Sequence, residues 1–290
     1  MYNKKNIILL IIGFFVLFFY YFLSAPYGNK NTIIHVSSGQ SINSIVEELK
    51  EENSIRSPFA LKVFIKLLKS GKGIISGDYL INKNSPVYVV AGQIARGHHN
   101  IDRARITFRE GLNNEQMAEI LESKITSFRK DLFLSKVEDK QGYLFPDTYF
   151  LYPLDTTDEI IKKLEDNFKK RTKNIKEEII KDNKSFSDII IMASILEGEA
   201  SGKEDIGIIS GILWKRFSMG MRLQVDIDKN TYIEKGLPEK PLNNPGMLSI
   251  EASFNPIDSS YLYYLHDKEG VVRYARNFEE HKKNINNYLK

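Results

Sequence analysis

The sequence predicts an α+β protein carried on an N-terminal transmembrane helix, with a small α+β module and then a mixed α+β domain behind it. Three observations predict this. Residues 7–23 are apolar throughout, interrupted only by Gly13. Two stretches, 33–55 and 103–123, share one grammar of short alternating strand, glycine turn and amphipathic helix. The last third opens on a helix that is apolar on nearly every side and closes with a hairpin and a polar helix.

The apolar run follows Lys4 and Lys5. At about 1.5 Å per residue its length reaches ~25 Å, just enough for a thin bilayer core. A cleaved signal has a shorter apolar region and small residues before its cut. Here Leu23 is large and Pro26 follows Ala25, which favours an uncleaved anchor over a cleaved leader. The upstream lysines place the N-terminus in the cytoplasm and the rest outside. Tyr20, Tyr21 and Tyr27 fall at the outer interface, and residues 24–31 form a polar linker.

Beyond the linker, Ile34 and Val36 alternate, Ser38-Gly39 turns the chain, and Ser41 is placed to cap a helix striped by Ile42, Ile45, Val46 and Leu49. A second helix starts at Pro58, and residues 76–82 read as a strand. The pattern then recurs. Ile106 and Phe108 alternate, Glu110-Gly111 turns, and Met117, Ile120 and Leu121 make a helical stripe. Residues 124–141 are polar and unpatterned, and 141–153 are dense in aromatics around Pro146. A charged amphipathic helix over 157–183 has a core stripe of Ile160, Ile161, Leu164 and Phe168. The helix over 187–199 belongs inside a domain, because no side of it is polar. A further helix is expected over 204–219, then a half-buried strand over 220–226, turn-rich loops through Pro245-Gly246, a hairpin ending at 274, and a helix over 279–289.

Composition excludes several classes. The net charge of +4 comes without an arginine-rich stripe, which argues against nucleic acid. With no cysteine, neither a disulfide framework nor a Cys-ligated metal is possible. His35, His98, His99, His266 and His281 lack zinc-type spacing, so neither metal nor cofactor is expected. No phosphate-binding glycine loop or nucleophile elbow is present.

The chemistry concentrates at Glu197 and Glu199, where the buried helix runs out at Gly198. Glu197 shares a helix face with Ile190, Ala193 and Ser194, whereas Glu199 lies about 200° round, so the two do not converge on one spot. Burial disfavours a charged carboxyl, and a protonated glutamate can donate to a leaving oxygen and then act as base. The competing account is a helix-end carboxylate satisfied by arginine or solvent. Gln224 and Asp226 alternate with Leu223 and Val225, as on a cleft floor or a solvated strand face. Trp214 fits a packed indole better than a sugar platform. His281 reads equally as a site residue or as a partner of a backbone carbonyl.

Several collinear motifs resemble the YceG-like family, the endolytic murein transglycosylases called MltG. They are IIHVSSGQSINSIVEELKEENSIRSP, ITFREGLNNEQMAEIL, GYLFPDTYF, ASILEGEA, GMRLQVD, NTYIEKGLPEKPLNNPG, LYYLHDKEG and EEHKKN. Behind the cytoplasmic N-terminus (1–6), anchor (7–23) and linker (24–31) read from the residues, the resemblance implies a LysM-like α+β module (32–123), a connecting segment (124–185) and a catalytic domain (186–290). It implies that Glu197 is catalytic and that Glu199, Gln224, Asp226, Asn230 and Tyr232 bind substrate. It implies cleavage of the β-1,4 bond between N-acetylmuramic acid and N-acetylglucosamine in nascent peptidoglycan, leaving 1,6-anhydro ends and limiting strand length. The implied partners are glycan strands and peptidoglycan synthases (penicillin-binding proteins) at the cytoplasmic membrane. A water-using glycoside hydrolase and a non-catalytic membrane-anchored glycan-binding scaffold remain as alternatives. Two positions depart from the family pattern. Between Asp226 and Asn230 a loop is missing, with its proline after the aspartate, which predicts a shorter groove. Val272 stands where the family commonly has histidine.

Overall fold

The computed structural model describes residues 4–68, 74–125, 128–199 and 205–289. It is mixed α+β, and its strands form three separate pairs, β1 with β2, β3 with β4 and β5 with β6. The chain divides into two compact units. The first is Met1–Ala104 with Ile125–Ser127 and Phe150–Asp155; the second is Arg105–Lys124, Phe128–Tyr149 and Thr156–Lys290.

In the first unit, α1 (Lys4–Leu23) is, among the described residues, the one helix long and apolar enough to cross a membrane. Its last turn is docked: Phe22 and Leu23 pack on the unit's core, and the Arg56 guanidinium lies 3.8 Å from the Tyr21 ring centroid and donates to the Ala25 carbonyl. β1 (Thr32–Val36) pairs antiparallel with β2 (Gly77–Ile81), Thr32 opposite Ile81 and Val36 opposite Gly77. The alternation of Ile34 and Val36 sends both inward against α2 (Ile42–Glu51), which Ser41 caps by accepting from the Ser44 N–H, and α3 (Pro58–Leu68). The end expected for this helix, near Lys69, lies outside the described residues. The sequence reading assigned nothing to α4 (Val87–Arg96), whose β-branched content hides a helix that opens after Pro86 and closes on left-handed Gly97.

The second unit begins in β3 (Ala104–Thr107) and continues into α5 (Asn114–Glu122), where Asn113 and Gln116 form a capping box. α6 (Lys130–Lys136) corrects the expectation of an unpatterned stretch: fully buried Phe133, with half-buried Leu132 and Leu134 beside it, anchors a short helix. The aromatic segment before and into β4 (Thr148–Leu151) is a clasp on α7 (Thr157–Lys181). Asp147 accepts from Asn167 and from Arg171, and the Tyr149 hydroxyl donates to the Phe145 carbonyl.

α8 (Phe186–Glu199) is buried without a break from Ile189 to Leu196. Its two sides feed different cores. Met192, Ile195 and Leu196 meet α9 (Ile206–Ser218), while Ile189, Ile190 and Ala193 meet α7 and α10 (Met247–Phe254). The start expected for α9, Glu204, lies outside the described residues. The 220–226 strand is not formed. Leu223 and Val225 are buried and Gln224 and Asp226 exposed, as the alternation requires, but the backbone pairs with Thr231 in a 3-10 turn (Lys229–Tyr232). The sequence pattern assigned no element to α10, which lies between two expected turns. β5 (Tyr263–His266) and β6 (Val272–Ala275) form the expected hairpin, and α11 (Phe278–Tyr288) closes the chain.

Asn244 joins these pieces. Its side chain is 0% exposed; its Oδ1 accepts from the Gly142 and Leu144 N–H groups, and its Nδ2 donates to the Leu112 carbonyl and to Asn114. Asn244→Ala would strand the Gly142 and Leu144 N–H groups and the Asn114 amide oxygen, while the Leu112 carbonyl keeps the Asn244 backbone N–H. It should therefore lower unfolding free energy by about 3 kcal/mol. Denaturant titration of the full chain in detergent checks this, and a loss under about 1 kcal/mol would mean that water replaces the amide.

Candidate active site

Glu197 stands near the end of α8, half-buried, directly after its last buried residue, Leu196. Its Oε2 accepts from the Gly246 N–H at 2.9 Å and from the Ser249 hydroxyl at 2.7 Å. Both donors lie at the start of α10, whose exposed N–H groups and dipole attract a carboxyl oxygen. Among the described residues Oε1 has no hydrogen-bond partner, so one oxygen is held and the other is left for a reacting atom. The Asn243 side chain donates to the Ser194 carbonyl and the Leu242 N–H donates to the Ser194 hydroxyl, fixing the same loop on the Glu197 face of α8. Glu110, from the turn after β3, lies over Gly246: a Cβ built there would fall 1.8 Å from Glu110 Oε1, so glycine lets this carboxylate approach the bound end of Glu197.

Glu199 goes elsewhere, as the helix geometry requires. Its Oε1 accepts from the Ile227 N–H at 3.1 Å and its Oε2 from the Tyr264 hydroxyl at 3.1 Å. Burial pushes the Tyr264 phenol well above its ordinary range, and the neighbouring Glu199 pushes it further. Between the two glutamates, a Cβ at Gly198 would sit 2.0 Å from Ile227 Cδ1, so only a bare Cα lets the 220s segment close against α8.

Gln224 holds a backbone φ of 55°, an unusual conformation for a residue with a Cβ and one that recurs at functional sites. Its amide oxygen accepts from Arg216 Nη2. Asp226 accepts from Lys229 Nζ at 2.6 Å and from the Tyr232 hydroxyl at 3.0 Å. The Lys229 contact, then the Tyr232 one, holds the Asp226 carboxyl below the usual carboxylate range. Asn230 is exposed; its backbone N–H bonds Asp228, and its side chain carries no hydrogen bond among the described residues.

A cavity of about 510 Å³ gathers four of the six expected residues, Glu199, Gln224, Asp226 and Tyr232, while Glu197 and Asn230 are not on its wall. Arg216 and His281 also line it. Ser249 carried no sequence signal. Arg216 carried one that went unused: it lies four residues after Ile212 on the core stripe of α9, where a charge is out of place. Trp214 is half-buried and donates to the Ser253 carbonyl, as a packed indole does. Val272 is buried in the core beside α8 and α9.

The family model of the YceG-like family matches residues 34–229 and 228–287. The chain belongs to that family. The two matched segments meet at 228–229, at the start of the 3-10 turn. An endolytic murein transglycosylase of Bacillus subtilis is 27% identical over 90% of this chain and 86% of its own length. One from Streptococcus pneumoniae is 22% identical over 88% of this chain, which spans 58% of that relative. A crystal structure of a yceG-like protein from Listeria monocytogenes shares the fold, with a TM-score of 0.57 and 23% identity over 88% of this chain and 99% of its own.

Burial, and then the Arg216 charge, lowers the His281 pKa from its ordinary 6.5. The unfolded chain therefore binds more protons than the folded one in acid, so His281 favours folding above about pH 6.5 and that contribution is lost as pH falls. His281→Phe should flatten the acid limb of the stability profile in denaturant titrations from pH 8 to pH 5; an unchanged limb would assign it to other groups.

Proposed function

We propose that this chain is a peptidoglycan lytic transglycosylase with Glu197 as its one catalytic carboxyl. The observation that carries the reading is the asymmetric seat of that side chain: among the described residues Oε2 holds two donors and Oε1 none. In the neutral acid Oε2 keeps both bonds as the carbonyl oxygen, and the proton resides on Oε1. That proton passes to the glycosidic oxygen between N-acetylmuramic acid and N-acetylglucosamine as the anomeric C–O bond breaks. The Oε1 carboxylate then takes the proton of the muramic 6-hydroxyl, whose oxygen closes on the anomeric carbon to give a 1,6-anhydro end. The acid is regenerated and no water is consumed. The nucleophile is already tethered to the electrophile, which substitutes for the second carboxylate of a hydrolase.

Gln224, Asp226 and Tyr232 offer polar groups on the cavity wall, and Glu199 positions the wall through Ile227 and Tyr264. Asn230, exposed on the adjoining turn, would contact strand outside the cavity. The segment 32–123 is taken as the LysM-like, glycan-facing module. α1 is taken as an anchor in the cytoplasmic membrane with the remainder outside, where nascent strands meet the synthases and strand length is set. The second reading is a water-using glycoside hydrolase, favoured by one observation: Glu110 brings a further carboxylate to Gly246 beside Glu197.

Glu197→Gln keeps an acceptor for Gly246 and Ser249, so its thermal midpoint should match wild type while cleavage falls by roughly 10²–10⁴-fold. Ser249→Ala should lose roughly tenfold. Mass spectrometry of digested strands reads both the rate and the product. Anhydro ends formed at the normal rate by Glu197→Gln would overturn the assignment, and ends heavier by one water would establish the hydrolase.

The absence of cysteine makes topology directly testable. A cysteine replacing Tyr27, which is 98% exposed, should react with a membrane-impermeant maleimide on protoplasts, whereas one replacing Asn3 should react only after lysis. The reverse pattern would invert the orientation.

A further inference from the structure

We propose that the Arg216 end of the cavity is a binding site for a carboxylate of the glycan substrate; this rests on the peptidoglycan reading above. Arg216 is 5% exposed, yet no carboxylate lies within 4.0 Å of it among the described residues. Its bonds are to neutral acceptors, Nε to the Arg222 carbonyl and Nη2 to the Gln224 side chain, and its Cζ lies 5.4 Å from the Tyr263 ring centroid. The two acidic groups on the same wall are committed elsewhere, Glu199 to Ile227 and Tyr264, Asp226 to Lys229 and Tyr232.

A buried guanidinium without a counter-charge is costly. It is retained where an anion completes it. Two ring nitrogens on this wall, His281 Nδ1 and His266 Nε2, are buried without a partner among the described residues, and the His281 ring stacks on Tyr263. The end of the cavity thus holds a buried cation beside two ring nitrogens that have no hydrogen-bond partner among the described residues. Arginine's planar fork matches a carboxylate. The cavity volume of about 510 Å³ admits a group far larger than a water molecule. Each muramoyl unit of peptidoglycan carries such a group, either the free carboxyl of its lactyl arm or the carboxylates of the stem peptide attached there.

The test is binding by the full chain in detergent, with Glu197→Gln present so that strands stay uncut. Three ligands are compared: peptide-free strands with free lactyl carboxylates, the same strands with those groups converted to methyl amides, and strands bearing stem peptides. Amidation should weaken binding about tenfold, the loss of a charge-assisted contact. Stem-peptide strands that bind as tightly as the free carboxylates assign the pocket to peptide carboxylates; strands that bind as weakly as the amides assign it to the lactyl arm. Arg216→Gln should bring the carboxylate strands down to the affinity of the amides and leave the amides unchanged. Equal affinity for all three ligands overturns the site whether or not the Arg216 variant folds, as does a folded Arg216→Gln that still discriminates. Binding of none of them would remove the proposed function together with this site, an outcome distinct from equal binding.

Discussion

The carboxamide of Asn244 is the contact on which the catalytic unit depends. A single buried side chain accepts from the 142–144 segment and donates to the 112–114 segment, while its own backbone exchanges hydrogen bonds with Gly111 and Leu112. These segments are far apart in sequence, and no alternation or helical stripe brings them together. The amide does so because it carries donors and acceptors on one rigid plane, so both ends are satisfied in a dry site. Pro245 and Gly246 follow directly, and α10 starts at the next residue. The positions of the Gly246 N–H and the Ser249 hydroxyl against Glu197 follow from that amide.

The parts of this arrangement legible in the sequence are those where a strong periodic signal coincides with burial. α8 announced itself by having no polar side, and the structure explains why: its two faces enter two different hydrophobic clusters. The divergence of Glu197 and Glu199 followed from helical angle alone and holds because α8 continues through Gly198. α7 and the inward pair Ile34 and Val36 were read for the same reason. Other elements were hidden because their determinants are tertiary. α6 rests on one buried ring, and α10 is short and sits behind a proline–glycine turn that reads as loop. The 220–226 segment shows how a correct burial pattern can mislead. Alternation fixed which residues face inward, but Thr231 supplies both a carbonyl and a hydroxyl in place of a partner strand, and left-handed Gln224 breaks the ladder.

Charge is distributed unevenly along the cavity wall. Asp226 and Lys229 cancel at an exposed rim where such a pair contributes little to stability. Arg216, deeper, has only neutral acceptors and aromatic faces around it. Charges at a wet rim chiefly steer an approaching polymer, whereas a dry unmatched charge discriminates between ligands.

The docking of α1 onto the first unit has a mechanical outcome. A polar stretch such as 24–31 would ordinarily act as a swivel between an anchor and its cargo. Here the Arg56 guanidinium spans Tyr21 and Ala25, and Phe22 and Leu23 are sunk in the β1–β2 core, so the joint has no slack. With α1 seated in a bilayer, the first globular layer is held at a set stand-off above the lipid headgroups.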